Sequence, residues 1–153
     1  MKDIYLKFGN PAIKGESQDK DHAGWIKLNS VSFSAHRDTD THLGQAAQRQ
    51  GGTVALGEIT ITKPCCAASP HLFTASVVGP GKKVEIDVTG NERPNYVEFV
   101  LEDCCVTSYG VSSNGVSHVE TVSLNFLKME MTQKNDKGTP NKVGFSIPKG
   151  VAS

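Results

Sequence analysis

Apolar side chains recur at every second position along most of the chain. Ile4, Leu6 and Phe8 alternate with Tyr5 and Lys7, and Val84, Ile86 and Val88 alternate with Lys83, Glu85 and Asp87. A period of two sends successive side chains to opposite faces, so each stretch predicts a strand with one buried face. Residues 96–107 set Val97, Phe99 and Leu101 against Glu98, Val100 and Glu102. Residues 119–132 begin with Val122, Leu124 and Phe126 as the apolar set, then change phase to Leu127, Met129 and Met131. A slip of one residue turns a strand over. The phase change at Phe126-Leu127 therefore predicts a bulge, or a strand passing from one buried environment to another. Residues 25–34, 53–62 and 143–147 are further strand candidates.

Turn residues separate these segments: Asn10-Pro11, Gly90-Asn91, Asn114-Gly115 and the polar run 135–138. Asn114-Gly115 is the strongest hairpin signal, because both central residues of a type I′ turn need positive φ. Residues 69–79 depart from the strand pattern and read as a short helix. Ser69 is placed to act as N-cap, Pro70 suits the first turn, and Gly79-Pro80 ends it. Leu72, Ala75 and Ser76 share the face that would dock. Many strands with one docked helix predict a mainly β fold, a closed or nearly closed barrel or a sandwich. Residues 36–52 carry only Leu43, Ala46 and Ala47 as apolar side chains. Loops longer than about 12–15 residues are uncommon in compact domains unless functional or disordered. This one is expected to be an arm that orders on another subunit, with a floppy loop as the alternative.

Composition narrows the function. The chain has 153 residues, 37% of them hydrophobic, with 16 Lys+Arg against 16 Asp+Glu, a net charge of zero. That length predicts a single domain spanning residues 1–153, and the apolar content excludes an intrinsically disordered chain. Neutrality without a basic segment argues against nucleic acid as a partner. The first residues alternate charged and apolar side chains, unlike a secretory signal, and the long uncharged run 64–81 is broken by Pro64, Pro70 and Pro80. The expectation is a soluble chain made in the cytoplasm, with no membrane insertion. Any export would follow a route that reads the folded protein.

Four cysteines form two adjacent pairs, Cys65-Cys66 and Cys104-Cys105. Structural zinc favours Cys-x2–4-Cys, and strand neighbours point apart, so both pairs read as buried or half-buried free thiols. A disulfide between one member of each pair is the alternative, and cytosolic synthesis disfavours it. Residues 19–24 open like a calcium loop, but Ala23 and Ser30 occupy positions that need ligands. Gly79-Pro80-Gly81-Lys82-Lys83 lacks the phosphate-loop frame, and residues 110–115 lack the nucleophile elbow. His22, His36, His42, His71 and His118 show no metal-ligand spacing, and the pairs Asp38/Asp40 and Glu102/Asp103 read as solvated or salt-bridged. No catalytic residue, cofactor or metal is expected, and the chain does not read as an enzyme.

Specific blocks resemble a known family. Ile4-Tyr5-Leu6-Lys7-Phe8 followed by Ile13-Lys14-Gly15-Glu16-Ser17-Gln18-Asp19-Lys20-Asp21-His22-Ala23 resembles the start of the Hcp proteins, inner-tube components of bacterial type VI secretion systems. The likeness continues through Gly51-Gly52, Ile61-Thr62-Lys63, Ser69-Pro70-His71-Leu72, Thr121-Val122-Ser123-Leu124-Asn125-Phe126 and Val143-Gly144-Phe145-Ser146-Ile147. One departure is local: the family often has an acidic residue shortly before the Ser-Pro helix start, where this chain has Cys65-Cys66-Ala67-Ala68.

The resemblance implies a two-sheet β-barrel with one short flanking α-helix and a long polar loop. It implies a homo-hexameric ring, and rings stacked into a tube that a contractile sheath drives out of the cell behind a spike. It further implies effector proteins carried and protected in the lumen, and secretion to the extracellular space without a signal peptide. In such an assembly Arg37, Asp38, Asp40, Gln45 and Arg49 are the candidate contacts between subunits or rings. The competing reading of the residues is a small-ligand or carbohydrate-binding β-sandwich module. It would require an exposed aromatic platform, and Trp25 is the only Trp.

Overall fold

The computed structural model describes residues 3–9, 13–37, 54–79, 81–89, 96–134, 141–146 and 151–152. In chain order they form β1 (Ile4–Phe8), β2 (Ile26–Leu28), β3 (Ser30–Ser32), β4 (Ala35–Arg37), β5 (Val54–Leu56), β6 (Ile59–Pro64) and helix α1 (Ser69–Val77). Six strands follow: β7 (Lys82–Thr89), β8 (Tyr96–Ser113), β9 (His118–Asn125), β10 (Lys128–Lys134), β11 (Asn141–Ser146) and β12 (Val151–Ala152). The fold is mainly β, as expected, and its strand pairs are antiparallel.

Two sheets share one strand. The first runs β12-β11-β10-β8-β7-β1-β2, and the second runs β3-β6-β9-β8. Residues 96–102 of β8 pair with β7 and β10, and residues 105–113 pair with β9. β8 is 18 residues long, about three times the usual 5–6, and it turns between the sheets at Asp103. There φ is +51°, the positive value of a non-glycine residue among those described. The register with β7 shifts between Lys82 and Val84, so β8 carries an extra residue at the corner, a β-bulge. Gly81 makes the corner possible: a Cβ on it would lie 2.9 Å from the Asp103 Cα and carbonyl carbon.

The same crossing explains the phase change at Phe126-Leu127. β9 belongs to the second sheet and β10 to the first, so the chain changes sheets at these two residues. The Leu127 N–H donates to the Glu102 carbonyl at 3.1 Å, and the Phe126 N–H donates to the Asn125 side chain at 2.8 Å. On the opposite side Asn29 alone separates β2 from β3, so the stretch 25–34 is two strands in two sheets rather than one. The core fills the space between the inner faces. Leu6, Phe8, Ile26, Leu28, Val84, Ile86 and Leu101 come from the first sheet, and Ile59, Ile61, Val106, Val122 and Leu124 from the second.

Two local expectations are corrected. The Asn114-Gly115 hairpin joins β8 to β9, but only Gly115 has positive φ, at +84°. The turn is a four-residue loop instead of type I′, closed by the Asn114 side chain accepting the N–H groups of Val116 (3.0 Å) and Ser117 (2.9 Å). The polar stretch 36–52 begins inside a strand: His36 and Arg37 belong to β4, paired with β5.

Substituting Gly81→Ala forces its new Cβ into the Asp103 backbone, so a loss of roughly 1–3 kcal/mol is expected. Gly110→Ala, in β8 with open space around it, is the control. Urea denaturation of both variants measures the difference.

Candidate functional site

The structure places the predicted contact residues only in part. Arg37 ends β4 opposite Val54 of β5, so β4 and β5 form a two-stranded ribbon on either side of residues 38–53. Asp38, Asp40, Gln45 and Arg49 lie outside the described residues. Two buried polar clusters that periodicity did not reveal fix the helix and the segment 13–25.

The first cluster fixes α1. Lys63 of β6 and Glu120 of β9 stand directly opposite each other and are both fully buried, with Nζ 2.9 Å from Oε2. A buried ion pair is tolerated only when its remaining hydrogen-bonding capacity is met. Here Lys63 Nζ also donates to the Pro64 carbonyl (2.9 Å) and the Ser69 hydroxyl (3.2 Å), and the Ser69 hydroxyl donates to Glu120 Oε1. Burial pushes the Glu120 carboxyl up, but the Lys63 and Ser69 hydrogen bonds and the Lys63 charge outweigh it, and the group titrates below its ordinary value. The Tyr109 side chain of β8 also helps hold the same carboxyl down. Burial, and next the Glu120 charge, push the Tyr109 hydroxyl up to about 12.

Ser69 is therefore not the N-cap that the sequence suggested. Ala68 holds that position, with no side-chain cap, because the Ser69 hydroxyl is committed to Glu120 and also accepts the Cys66 N–H at 2.9 Å. With Ser69 and Leu72 buried, α1 is anchored through its first turn. The helix entrance is also held from outside, where Glu16 Oε1 accepts the Ala67 N–H at 3.1 Å.

The second cluster is centred on His22. Its ring lies between two carboxylates, with Nδ1 2.8 Å from Asp19 Oδ2 and Nε2 2.7 Å from Asp87 Oδ2. It stacks on Tyr5 at 4.4 Å and meets the edge of Trp25 at 4.9 Å. Tyr5 and Asp87 lie opposite each other on the outer face of the first sheet, in β1 and β7. His22 thus clasps segment 13–25 over that face. The segment is itself a narrow hairpin: Gly15 N–H donates to Gly24 O (2.8 Å), Ser17 N–H to Trp25 O (3.0 Å) and Gly24 N–H to Ser17 O (2.9 Å). Glycine is required at position 15, where a Cβ would lie 2.4 Å from the Trp25 carbonyl oxygen. Trp25 is consumed in this packing.

The cysteines divide by position. All four are free; Cys104 is buried, Cys66 half-buried, and Cys65 and Cys105 exposed. The expectation of buried or half-buried thiols holds for Cys104 and Cys66. It fails for Cys105, exposed beside the buried Cys104, and for Cys65, which precedes the helix entrance.

Among the described residues, two apolar surfaces stay open. On α1, Phe73 (56% exposed), Val77 and Val78 face outward, with Phe73 packed edge-on against Tyr109. The other continues the core. A cross-strand row runs Ile26–Leu6–Ile86–Phe99–Met131–Val143 through β2, β1, β7, β8, β10 and β11. Ile26 and Ile86 are fully buried and Leu6 nearly so, whereas Met131 is 38% and Val143 60% exposed. The inner face of the first sheet extends beyond the cover of the second.

Comparison with known proteins agrees with this architecture. Residues 5–133 match the family described as type VI secretion system effector, Hcp. Among solved structures, Hcp1 from Salmonella typhimurium superposes with a TM-score of 0.83 at 21% identity, covering 99% of each chain. A type six secretion system protein superposes at 0.87 with 19% identity over the whole of both chains. Hcp1 from the E. coli EAEC 042 pathovar gives 0.77 at 22% identity, over 95% of this chain and 98% of that one. At these identities the structures speak for the fold. No curated protein sequence matches significantly.

Removing one partner of the buried pair, Lys63→Met or Glu120→Leu, is expected to destabilise by about 3–5 kcal/mol, and the double variant to recover most of it. A double-mutant cycle by urea denaturation checks this. Because the Glu120 carboxyl titrates lower folded than unfolded, the unfolded chain takes up that proton first as pH falls. Its stabilisation is complete above the ordinary carboxylate range and is lost as pH drops through the folded value. The Tm of the natural chain should therefore fall more steeply below about pH 4.5 than that of Glu120→Gln. For His22→Ala, trypsin should cleave after Lys20 much faster than in the natural chain, with the far-ultraviolet dichroism of the sheets retained.

Proposed function

The chain belongs to the Hcp family of type VI secretion proteins, and from that premise we propose that it is a structural subunit of the secretion tube and not an enzyme. Each chain contributes one domain. Six copies close into a ring, and rings stack into a tube that lies within a contractile sheath, carries a spike and leaves the cell. Effector proteins travel in the lumen.

The observation that carries this reading is the core row that runs out into solvent at Met131 and Val143. A monomer gains nothing from extending a folded apolar sheet face past its own cover, whereas a neighbouring copy would bury it. The outward face of α1 is a second, different patch. Two unlike patches on one chain suit a heterologous, head-to-tail contact, the type that closes a ring when the rotation permits. The neutral net charge adds no like-charge repulsion between stacked copies. The family match supports the secretion role, and among the described residues no helix is long and apolar enough to cross a membrane.

Ring closure and ring stacking are separable. Val143→Asp is expected to leave a folded monomer that no longer forms rings, as measured by size-exclusion chromatography with light scattering. Deleting residues 40–50 is expected to leave rings that no longer stack. Unchanged tubes in electron micrographs of the deletion variant would refute the role assigned to the arm.

A further inference from the structure

An open groove of about 460 Å³ lies between the C-terminal half of α1 and the start of β7. Small-ligand sites span roughly 300–1,000 Å³. Its floor is apolar and recessed: Phe8 is 2% exposed, Cys104 0% and Val106 5%. Burial, with the neighbouring Cys105 a lesser cause, pushes the Cys104 thiol up to about 12, so it remains neutral and serves as a small apolar wall. Ala75 of α1 and Val78, at its C-cap, supply the opposite side.

The rim differs in character. Lys82 Nζ stands over the Phe8 ring, 5.5 Å from its centroid, and His71 lies on the α1 side. Among the described residues, no aspartate or glutamate lines the groove. A slot with an apolar floor, a cationic rim and no acid is complementary to an anion with an apolar tail. The recessed floor admits a hydrocarbon chain more readily than the broad surface of another protein.

We propose that this groove binds a small anionic amphiphile, its carboxylate against Lys82 and its apolar tail between Val78 and the Phe8–Val106 floor. Burial of the tail provides the non-directional part of the affinity, and the ammonium, partly shielded by the ring beneath it, selects the sign of the head group. The groove shares Val78 with the outward face of α1 but neither Phe73 nor Val77, and its test is read on the chain by itself.

The exposed Cys105 thiol reports occupancy, because it lines this groove, whereas the exposed Cys65 lines a separate hollow beside Glu16 and Lys27. Octanoate is the probe and octylamine the control of equal tail and opposite charge. Octanoate is expected to slow alkylation of Cys105 by N-ethylmaleimide about fivefold or more, a charge-assisted effect that octylamine does not reproduce. Cys65 should react at an unchanged rate. Lys82→Glu should abolish the protection and Lys82→Arg retain it, and the Val78 and Ala75 methyl resonances should shift saturably with octanoate. Absence of Cys105 protection, equal protection by octylamine, equal protection of Cys65, or full protection in Lys82→Glu would each overturn the proposal.

Discussion

One strand serves two sheets, and the rest of the architecture follows from that constraint. β8 pairs with β10 before Asp103 and with β9 from Cys105 on, while β7 follows it past the corner to Cys104, so the two layers cannot separate or slide without breaking the pairing of one strand. The corner demands an extra residue, a positive φ at Asp103 and a neighbour without a side chain at Gly81. Once β8 turns there, β9 and β10 must change sheets beside it. That is why Phe126 is buried while Leu127 faces out, and the space between the layers becomes the core.

Polar clusters then fix what the core alone leaves loose. Hydrophobic burial is non-directional, so it does not by itself set where a nine-residue helix sits on a sheet edge or how a thirteen-residue hairpin crosses an outer face. The Lys63–Glu120–Ser69 network gives α1 a single position through its first turn. The His22 clasp does the same for segment 13–25, whose Glu16 reaches back to the helix entrance. Two of the blocks that carry the family resemblance, residues 13–23 and 69–72, flank that contact, which Glu16 makes to Ala67 just before the helix. Their chemistry is that of fixing structure: a glycine with no room for a Cβ, a carboxylate on a helix entrance and a histidine between two acids.

Much of the fold was legible because burial writes a period into sequence. The alternation in residues 4–8, 84–88 and 96–102 named the strands and their inward faces, and the phase change at Phe126-Leu127 marked the crossing between sheets. The hairpin at Asn114-Gly115 was legible and its turn type was not, since the Asn114 side chain supplies the backbone closure that a second positive φ would otherwise provide. Ser69 illustrates a different loss. A serine before proline is an ordinary N-cap by local chemistry, and only the approach of β9, whose Glu120 lies 51 residues later, redirects its hydroxyl. His22 was visible within the family block but not as a clasp, because Asp87 and Tyr5 meet it through sheet pairing that no local pattern encodes.

The sequence by itself determined the strand content, the inward faces, the place of the helix and the blocks shared with the Hcp family. Each of these follows from local periodicity, turn chemistry or matched residues, which survive in one dimension. Only the tertiary structure decided which acid meets Lys63 and His22, which cysteine of each pair is the more covered, and that the core row emerges into solvent at Met131 and Val143. Those outcomes depend on register between distant strands and on how far one sheet covers another. Both are set when β8 turns its corner, and neither can be read before the strands are paired.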